Sequence, residues 1–206
     1  MIPFFDRPDT KWARPDGCLH FYALPSPDAP IVDAFERMAE PLVSMPQLGI
    51  QPPEHLHMTL QRLTAFEDDL TEEKWVRLRK DLGGIFGLWP TFSVRLGPPS
   101  IEERAIEAVG GPSVGWSTVV AGLRDALVGH GMGTLLTDPP YGPHITLAYC
   151  RDAVEDQRVA EALGGVARPT ELVVDRVALV SVTQDPASAS FAHRVVQDWP
   201  LGRTGG

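Results

Sequence analysis

His57-Met58-Thr59-Leu60 and His144-Ile145-Thr146-Leu147 are the same tetrapeptide written twice, nearly half a chain apart in 206 residues. Both copies stand in apolar, β-prone runs. In an extended strand residues i and i+2 share a face about 6 to 7 Å apart, so each copy presents an imidazole and a hydroxyl side by side. If the two halves face one another, two proton-transfer groups and two hydrogen-bond donors surround one centre. One histidine then takes a proton from an attacking oxygen while the other gives one to a leaving oxygen. A lone His-x-Thr is an ordinary strand fragment; the duplication gives the pattern its weight. The repeat predicts a bilobed active site with His57, Thr59, His144 and Thr146 as its catalytic residues.

Working outward, a strand over 18–24 and a helix over 31–40 precede the first motif strand, 56–63. A helix over 71–85 follows, with Trp75, Leu78 and Leu82 on its apolar side and Gly83-Gly84 at its end. Strands are expected over 91–96 and 105–109, then a helix over 114–128 and the second motif strand over 144–149. A helix over 155–163 and strands over 171–183 and 191–199 complete the chain, with 184–190 as a mobile hairpin tip. This order is α+β, in one domain over 1–206 opened by a polar leader over 1–17. Proline-rich loops, Gln47 to Glu54 with Pro46, Pro52 and Pro53, and Leu136 to Pro143 with Pro139, Pro140 and Pro143, deliver the chain to each motif and stiffen both approaches.

The net charge of −9, with acidic and basic residues interspersed, excludes the basic stripe that long DNA or RNA requires. A local cluster of histidines and threonines can still bind one phosphate. The expected partner is therefore a small nucleotide or short oligonucleotide phosphodiester, met by a monomer in the cytoplasm and not by a membrane protein: no apolar run approaches the roughly 20 residues of a span. Cys18 and Cys150 lack metal-site spacing and sit in apolar strands as buried thiols. No close His/Asp/Glu cluster suggests a zinc site, so neither a metal nor another cofactor is expected.

Read with their flanks, Leu56-His57-Met58-Thr59-Leu60-Gln61-Arg62-Leu63 and Tyr141-Gly142-Pro143-His144-Ile145-Thr146-Leu147-Ala148-Tyr149 resemble the two signature segments of the 2H phosphoesterase superfamily, which includes bacterial RNA 2′,5′-ligase-like proteins and cyclic nucleotide phosphodiesterases. The resemblance implies a two-lobed, pseudo-symmetric fold with antiparallel sheets flanking a central cleft and the motif strands side by side. It also implies a metal-independent phosphodiesterase acting on a 2′,3′-cyclic phosphate or another 2′-linked phosphodiester. Thr59 and Thr146 would bind the non-bridging oxygens. The family assignment makes the second-motif residue, His144, the base and His57 the acid, and the reverse stays open. Two departures bear on substrate: Gln61-Arg62-Leu63-Thr64 replaces an aromatic-Leu-Gly run, and Tyr149 follows Ala148 where many relatives carry arginine.

Substrate-binding candidates are Tyr141, as a stacking ring, Tyr149, Arg62, and the pair His20 and Tyr22, which share a strand face. Arg62 is also readable as a surface charge, since alternation sets it opposite His57 and Thr59, and His20 with Tyr22 as packing. His55 is expected in a loop, His130 at a helix end and His193 on an exposed strand. Other readings are RNA 2′,5′-ligation by the same proton transfers, a non-catalytic nucleotide-binding module, and a serine hydrolase using Ser113 of Gly111-Pro112-Ser113-Val114-Gly115, a residue equally suited to capping a helix. Two histidines of ordinary acidity predict a bell-shaped rate profile with limbs on either side of roughly pH 6 to 7.

Overall fold

The structure, a computed structural model, describes residues 1–202 apart from residues 11 and 70. Those two and 203–206 are the parts of the expected 1–206 span, and of its leader, that lie outside the described residues. In chain order the strands are β1 (Cys18–Ala23), β2 (Leu48–Ile50), β3 (Met58–Phe66), β4 (Phe92–Leu96), β5 (Ser100–Ile101), β6 (Ala105–Val109), β7 (His144–Cys150), β8 (Thr170–Val174), β9 (Arg176–Asp185) and β10 (Ser190–Pro200). The helices are α1 (Pro30–Ala39), α2 (Glu72–Phe86), α3 (Val114–Gly129) and α4 (Asp156–Leu163).

The motif strands β3 and β7 are antiparallel neighbours through Met58 and Ile145, and they join the two halves into one sheet ordered β10-β9-β1-β3-β7-β6-β5, with β2 on β7. Alternation along these strands divides the sheet into two faces. Leu19, Phe21, Met58, Leu60, Ile145 and Leu147 point into the main core, against apolar faces such as Ile31, Phe35 and Met38 of α1 and Trp75, Leu78 and Leu82 of α2. Each such side chain, fully buried, contributes about 1.5–3 kcal/mol. The opposite face carries His20, Tyr22, His57, Thr59, His144 and Thr146, the lining of a central cavity. This is the α+β order read from the sequence, with the antiparallel, clefted architecture that the family resemblance implied.

Three local expectations are corrected. The run 171–183 is two strands that break at Asp175, because β8 pairs with β4 in a separate two-stranded ribbon whereas β9 lies between β1 and β10. The core-facing residues change phase at the break, from Leu172 and Val174 to Val177 and Leu179 across the polar pair Asp175-Arg176. Gly83 and Gly84 lie inside α2, which runs on to Phe86. Gly83 makes room there for Trp199: a Cβ would stand 3.3 Å from the indole Cδ1.

Residues 184–190 form a docked turn and not a loose tip. The Asp185 carboxylate accepts from Ala187 N (3.0 Å) and Ser188 Oγ (2.6 Å), and Ala189, at φ 50°, is buried. This turn packs on β2, where a Cβ on Gly49 would lie 2.1 Å from Ser188 O and 2.2 Å from Ala189 O. Both obstacles are backbone. Gly49→Ala is therefore expected to cost about 1–3 kcal/mol, lowering Tm by roughly 5 °C in a chain of this size. An unchanged melting curve would show that the turn does not dock against Gly49.

No helix among the described residues is long and apolar enough to cross a membrane.

Candidate active site

The antiparallel pairing of Met58 with Ile145 sets His57 across from Thr146 and Thr59 across from His144. The rows continue outward, with Tyr22 beside Thr59 on β1 and Glu107 beside Thr146 on β6. Each imidazole thus neighbours the other motif's hydroxyl, and all four side chains line one cavity of about 290 Å³.

Both rings are held in the same way. His57 Nδ1 lies 2.8 Å from the carbonyl of His55, and His144 Nδ1 lies 2.9 Å from that of Gly142. A carbonyl can only accept, so each Nδ1 carries the proton and Nε2 is left as the working nitrogen. Each ring also stacks on a tyrosine. Tyr22 lies 4.0 Å from His57 at 12° between planes, and Tyr141 lies 4.6 Å from His144 at 9°. The two halves repeat this arrangement through unrelated residues, a β1 tyrosine in one and a loop tyrosine in the other.

Their surroundings differ. His57 is 9% exposed, and burial, reinforced by His193 and His144, pushes it down to about 3 although the His55 carbonyl acts in the other direction. Burial likewise holds His20 well below its ordinary value and takes His193 to about 4. Half-buried His193 is not the exposed strand residue expected: its ring meets those of His55 (5.0 Å) and His57 (5.8 Å). His55, in a 3-10 turn, accepts from His193 N through Nδ1 at 3.4 Å.

Arg62 lines the cavity, against the expectation from strict alternation. The register slips between Phe21, which faces Gln61, and Tyr22, which faces Thr59, leaving Leu60 as the extra residue of a β-bulge. After the bulge the faces exchange. Gln61 turns inward, fully buried, and Arg62 turns to the cleft. Gln61 then clamps the approach to the second motif: its Nε2 donates to Thr137 O at 3.1 Å, and its Oε1 accepts from Arg124, which also donates to Thr137 O at 2.8 Å.

His20, Tyr22, Tyr141 and Tyr149 all line the cavity as well. Tyr22 and Tyr149 are buried, and Tyr141 is mostly exposed. His20 Nδ1 and Tyr22 Oη are 2.8 Å apart, and burial raises the Tyr22 phenol well above its ordinary value. Sequence reasoning missed Glu107, whose carboxylate accepts from the Tyr141 hydroxyl and, at 3.5 Å, from Thr146 Oγ1. It also missed four lining residues of the leader, Phe4, Arg7, Thr10 and Trp12, together with Phe191. Strand periodicity could have pointed to Glu107, which follows the inward-facing Ile106 on β6; nothing local marks the leader.

Ser113, His130 and the two cysteines have structural roles. Ser113 Oγ accepts from Trp116 N at 3.2 Å, capping α3, and Ser113 does not line the cavity. His130, the C-cap of α3, pairs with Asp81 at 3.2 Å. Cys18 and Cys150 are buried free thiols, the first pushed up to about 11 by burial. Among the described residues no group of three or more His, Cys, Asp or Glu side chains is placed to hold a metal ion.

Residues 51–186 match the family model for the 2′-5′ RNA ligase superfamily. No curated protein matches the chain by sequence. Among solved structures, TT0787 of Thermus thermophilus is similar at a TM-score of 0.67 and 20% identity, covering 91% of this chain and 100% of that one. E. coli LigT complexed with 3′-AMP gives 0.63 and 19%, over 90% of this chain and 98% of that one. LigT complexed with phosphate gives 0.60 and 18%, over 92% and 100%. At these identities the structural likeness speaks for the fold alone. The family match, however, takes in both motif strands and well over half the sequence, so the chain belongs to the 2′-5′ RNA ligase superfamily, the 2H phosphoesterases.

Proposed function

We propose that the protein is a metal-independent phosphodiesterase that opens a 2′,3′-cyclic phosphate, or another 2′-linked phosphodiester, of a small nucleotide. The observation that carries this reading is the pair of imidazoles, each with Nδ1 committed to a backbone carbonyl and Nε2 free for proton transfer, lining one cavity with two threonine hydroxyls. The complex of LigT with 3′-AMP, a nucleotide bearing a phosphate on its ribose, supports the choice of substrate class.

The protonation of His57 favours one direction of transfer. An imidazole kept neutral by burial holds no extra proton to give, which disfavours it as the acid. We therefore assign His57 as the base, reversing the family assignment that the sequence carried, and leave the acid role to His144. In that scheme His57 Nε2 takes a proton from water as the water oxygen attacks phosphorus. The phosphorus bond to one ribose oxygen breaks, and that oxygen receives the His144 proton. The product is a phosphomonoester on the other ribose oxygen. Thr59, Thr146 and Arg62 stabilise the charge on the non-bridging oxygens.

The test is turnover by purified protein of 2′,3′-cyclic nucleotides, 2′,5′-linked oligoadenylates, cyclic oligonucleotides and ADP-ribose 1″,2″-cyclic phosphate, with EDTA in every assay. At least one is expected to be hydrolysed, at a rate EDTA does not alter. A stoichiometric metal whose removal abolishes turnover and whose return restores it would sink the two-histidine mechanism. Thr59→Val and Thr146→Val keep the β-branched shape and delete the hydroxyl, so each should remove about 1.5–3 kcal/mol, or roughly 10- to 100-fold in kcat/KM. Full activity in the double variant would exclude the threonines from phosphate binding.

A further inference from the structure

The leader ahead of β1 lies outside the family match, yet it forms part of the cavity. It is tied to both halves of the sheet. At its start Ile2 N donates to Glu103 O at 2.9 Å, and Arg104 donates to Pro3 O, both beside β6. Further along, Gln184 of β9 donates through its side chain to Thr10 O and through its backbone to Pro15 O, each at 2.6 Å. Between these ties Phe4 meets Tyr149 edge-on at 4.5 Å, and Trp12 meets Phe191 at 5.8 Å and His20 at 5.3 Å. The segment therefore crosses from one half to the other over the cleft.

We propose that the leader is the nucleobase wall and size filter of this site, restricting its substrate to the cyclic phosphodiester of a single nucleoside and shutting out the cyclic-phosphate end of a longer chain. The inference rests on the phosphodiesterase reading above. With phosphorus held between His57 and His144, the base of the same nucleoside extends along the cavity wall, where half-buried Trp12, Phe4 and Phe191 offer aromatic faces. Stacking of this kind accepts any base. At about 290 Å³ the cavity lies at the lower edge of the roughly 300–1,000 Å³ typical of small-ligand pockets, a size suited to one nucleoside phosphate. A second nucleotide would also bring a further negative charge into a lining that holds two carboxylates, Glu107 and Asp138, beside its two arginines, Arg7 and Arg62, in a chain of net charge −9.

The test measures kcat/KM for a 2′,3′-cyclic mononucleotide and for a hexanucleotide ending in the same cyclic phosphate, in the wild type, Trp12→Ala and Phe4→Ala, each shown to be folded by circular dichroism. The wild type should favour the mononucleotide by about 10- to 100-fold. Trp12→Ala should lose roughly 10-fold on the mononucleotide, as one base stack is removed. Both variants should narrow the preference. Equal use of the two substrates by the wild type would overturn the filter and leave the phosphodiesterase standing. So would a preference that survives in both folded variants. Turnover of neither substrate would overturn the filter, and turnover of none of the wider panel would overturn the phosphodiesterase reading with it.

Discussion

His57→Ala and His144→Ala should each lower kcat on a confirmed cyclic phosphodiester by about 10²- to 10⁴-fold, since each removes one of the two proton-transfer groups. Neither loss should abolish folding. His144 stands at the start of β7 and is only half-buried, and His57 precedes β3, whose ladder to β1 does not depend on the imidazole. The two variants should nevertheless differ. A nitrophenyl phosphodiester releases an oxygen already stabilised by its ring, so it needs no proton from an acid. On that substrate His144→Ala should recover most of its deficit and His57→Ala should not, because the attacking water still lacks a base. The opposite pattern would restore the family assignment, with His144 as base. Near wild-type turnover by either folded variant would remove that histidine from the mechanism altogether.

The ease with which the four motif residues were found follows from how strands encode their faces. A period of two is short, each His-x-Thr needs only three residues to declare itself, and the two copies are related by a rotation that brings β3 beside β7. The α+β class followed from the order of strands and helices, and the two-lobed form from the family resemblance of the motif segments. What escaped was non-local or depended on one backbone irregularity. The bulge at Leu60 moves Arg62 to the catalytic face, and nothing in Leu60-Gln61-Arg62 distinguishes a bulged strand from a regular one before the partner strand is known. The division of 171–183 between two sheets likewise depends on β4 claiming β8. The leader read only as polar because its aromatic residues, Phe4, Phe5 and Trp12, follow no period. Their partners, Tyr149 and Phe191, lie more than a hundred residues away. His193 misled for a related reason: alternation on β10 gives its side of the strand, but its burial comes from His55, Tyr22 and His57 across the sheet.

The burial of His57 changes the pH dependence that two ordinary histidines would give. kcat/KM reports the ionisation of the free protein. For a base, activity is lost as falling pH protonates it, and with His57 held at about 3 that loss begins far below pH 6.5. kcat/KM should therefore show no loss between pH 7 and about pH 5, where a base titrating at the unperturbed 6.5 would already have lost more than 10-fold. Bound substrate brings a phosphodiester anion against the His57 ring and favours its protonated form, so the acid limb of kcat should lie at higher pH than that of kcat/KM. The same burial limits the range over which this can be read. His20, His57 and His193 are all depressed when folded, so the unfolded chain binds their protons first, and stability present above about pH 6.5 is lost as pH falls toward the folded values. Each contributes a slope of at most about 1.4 kcal/mol per pH unit, and Tm should fall between pH 7 and 5 by several degrees. Rates at the acid end therefore need short assays below the melting onset. A single-proton fall in kcat/KM centred near pH 6.5, measured on protein shown to be folded, would mean that His57 is not the base, or that the cleft admits enough water to return it to ordinary acidity.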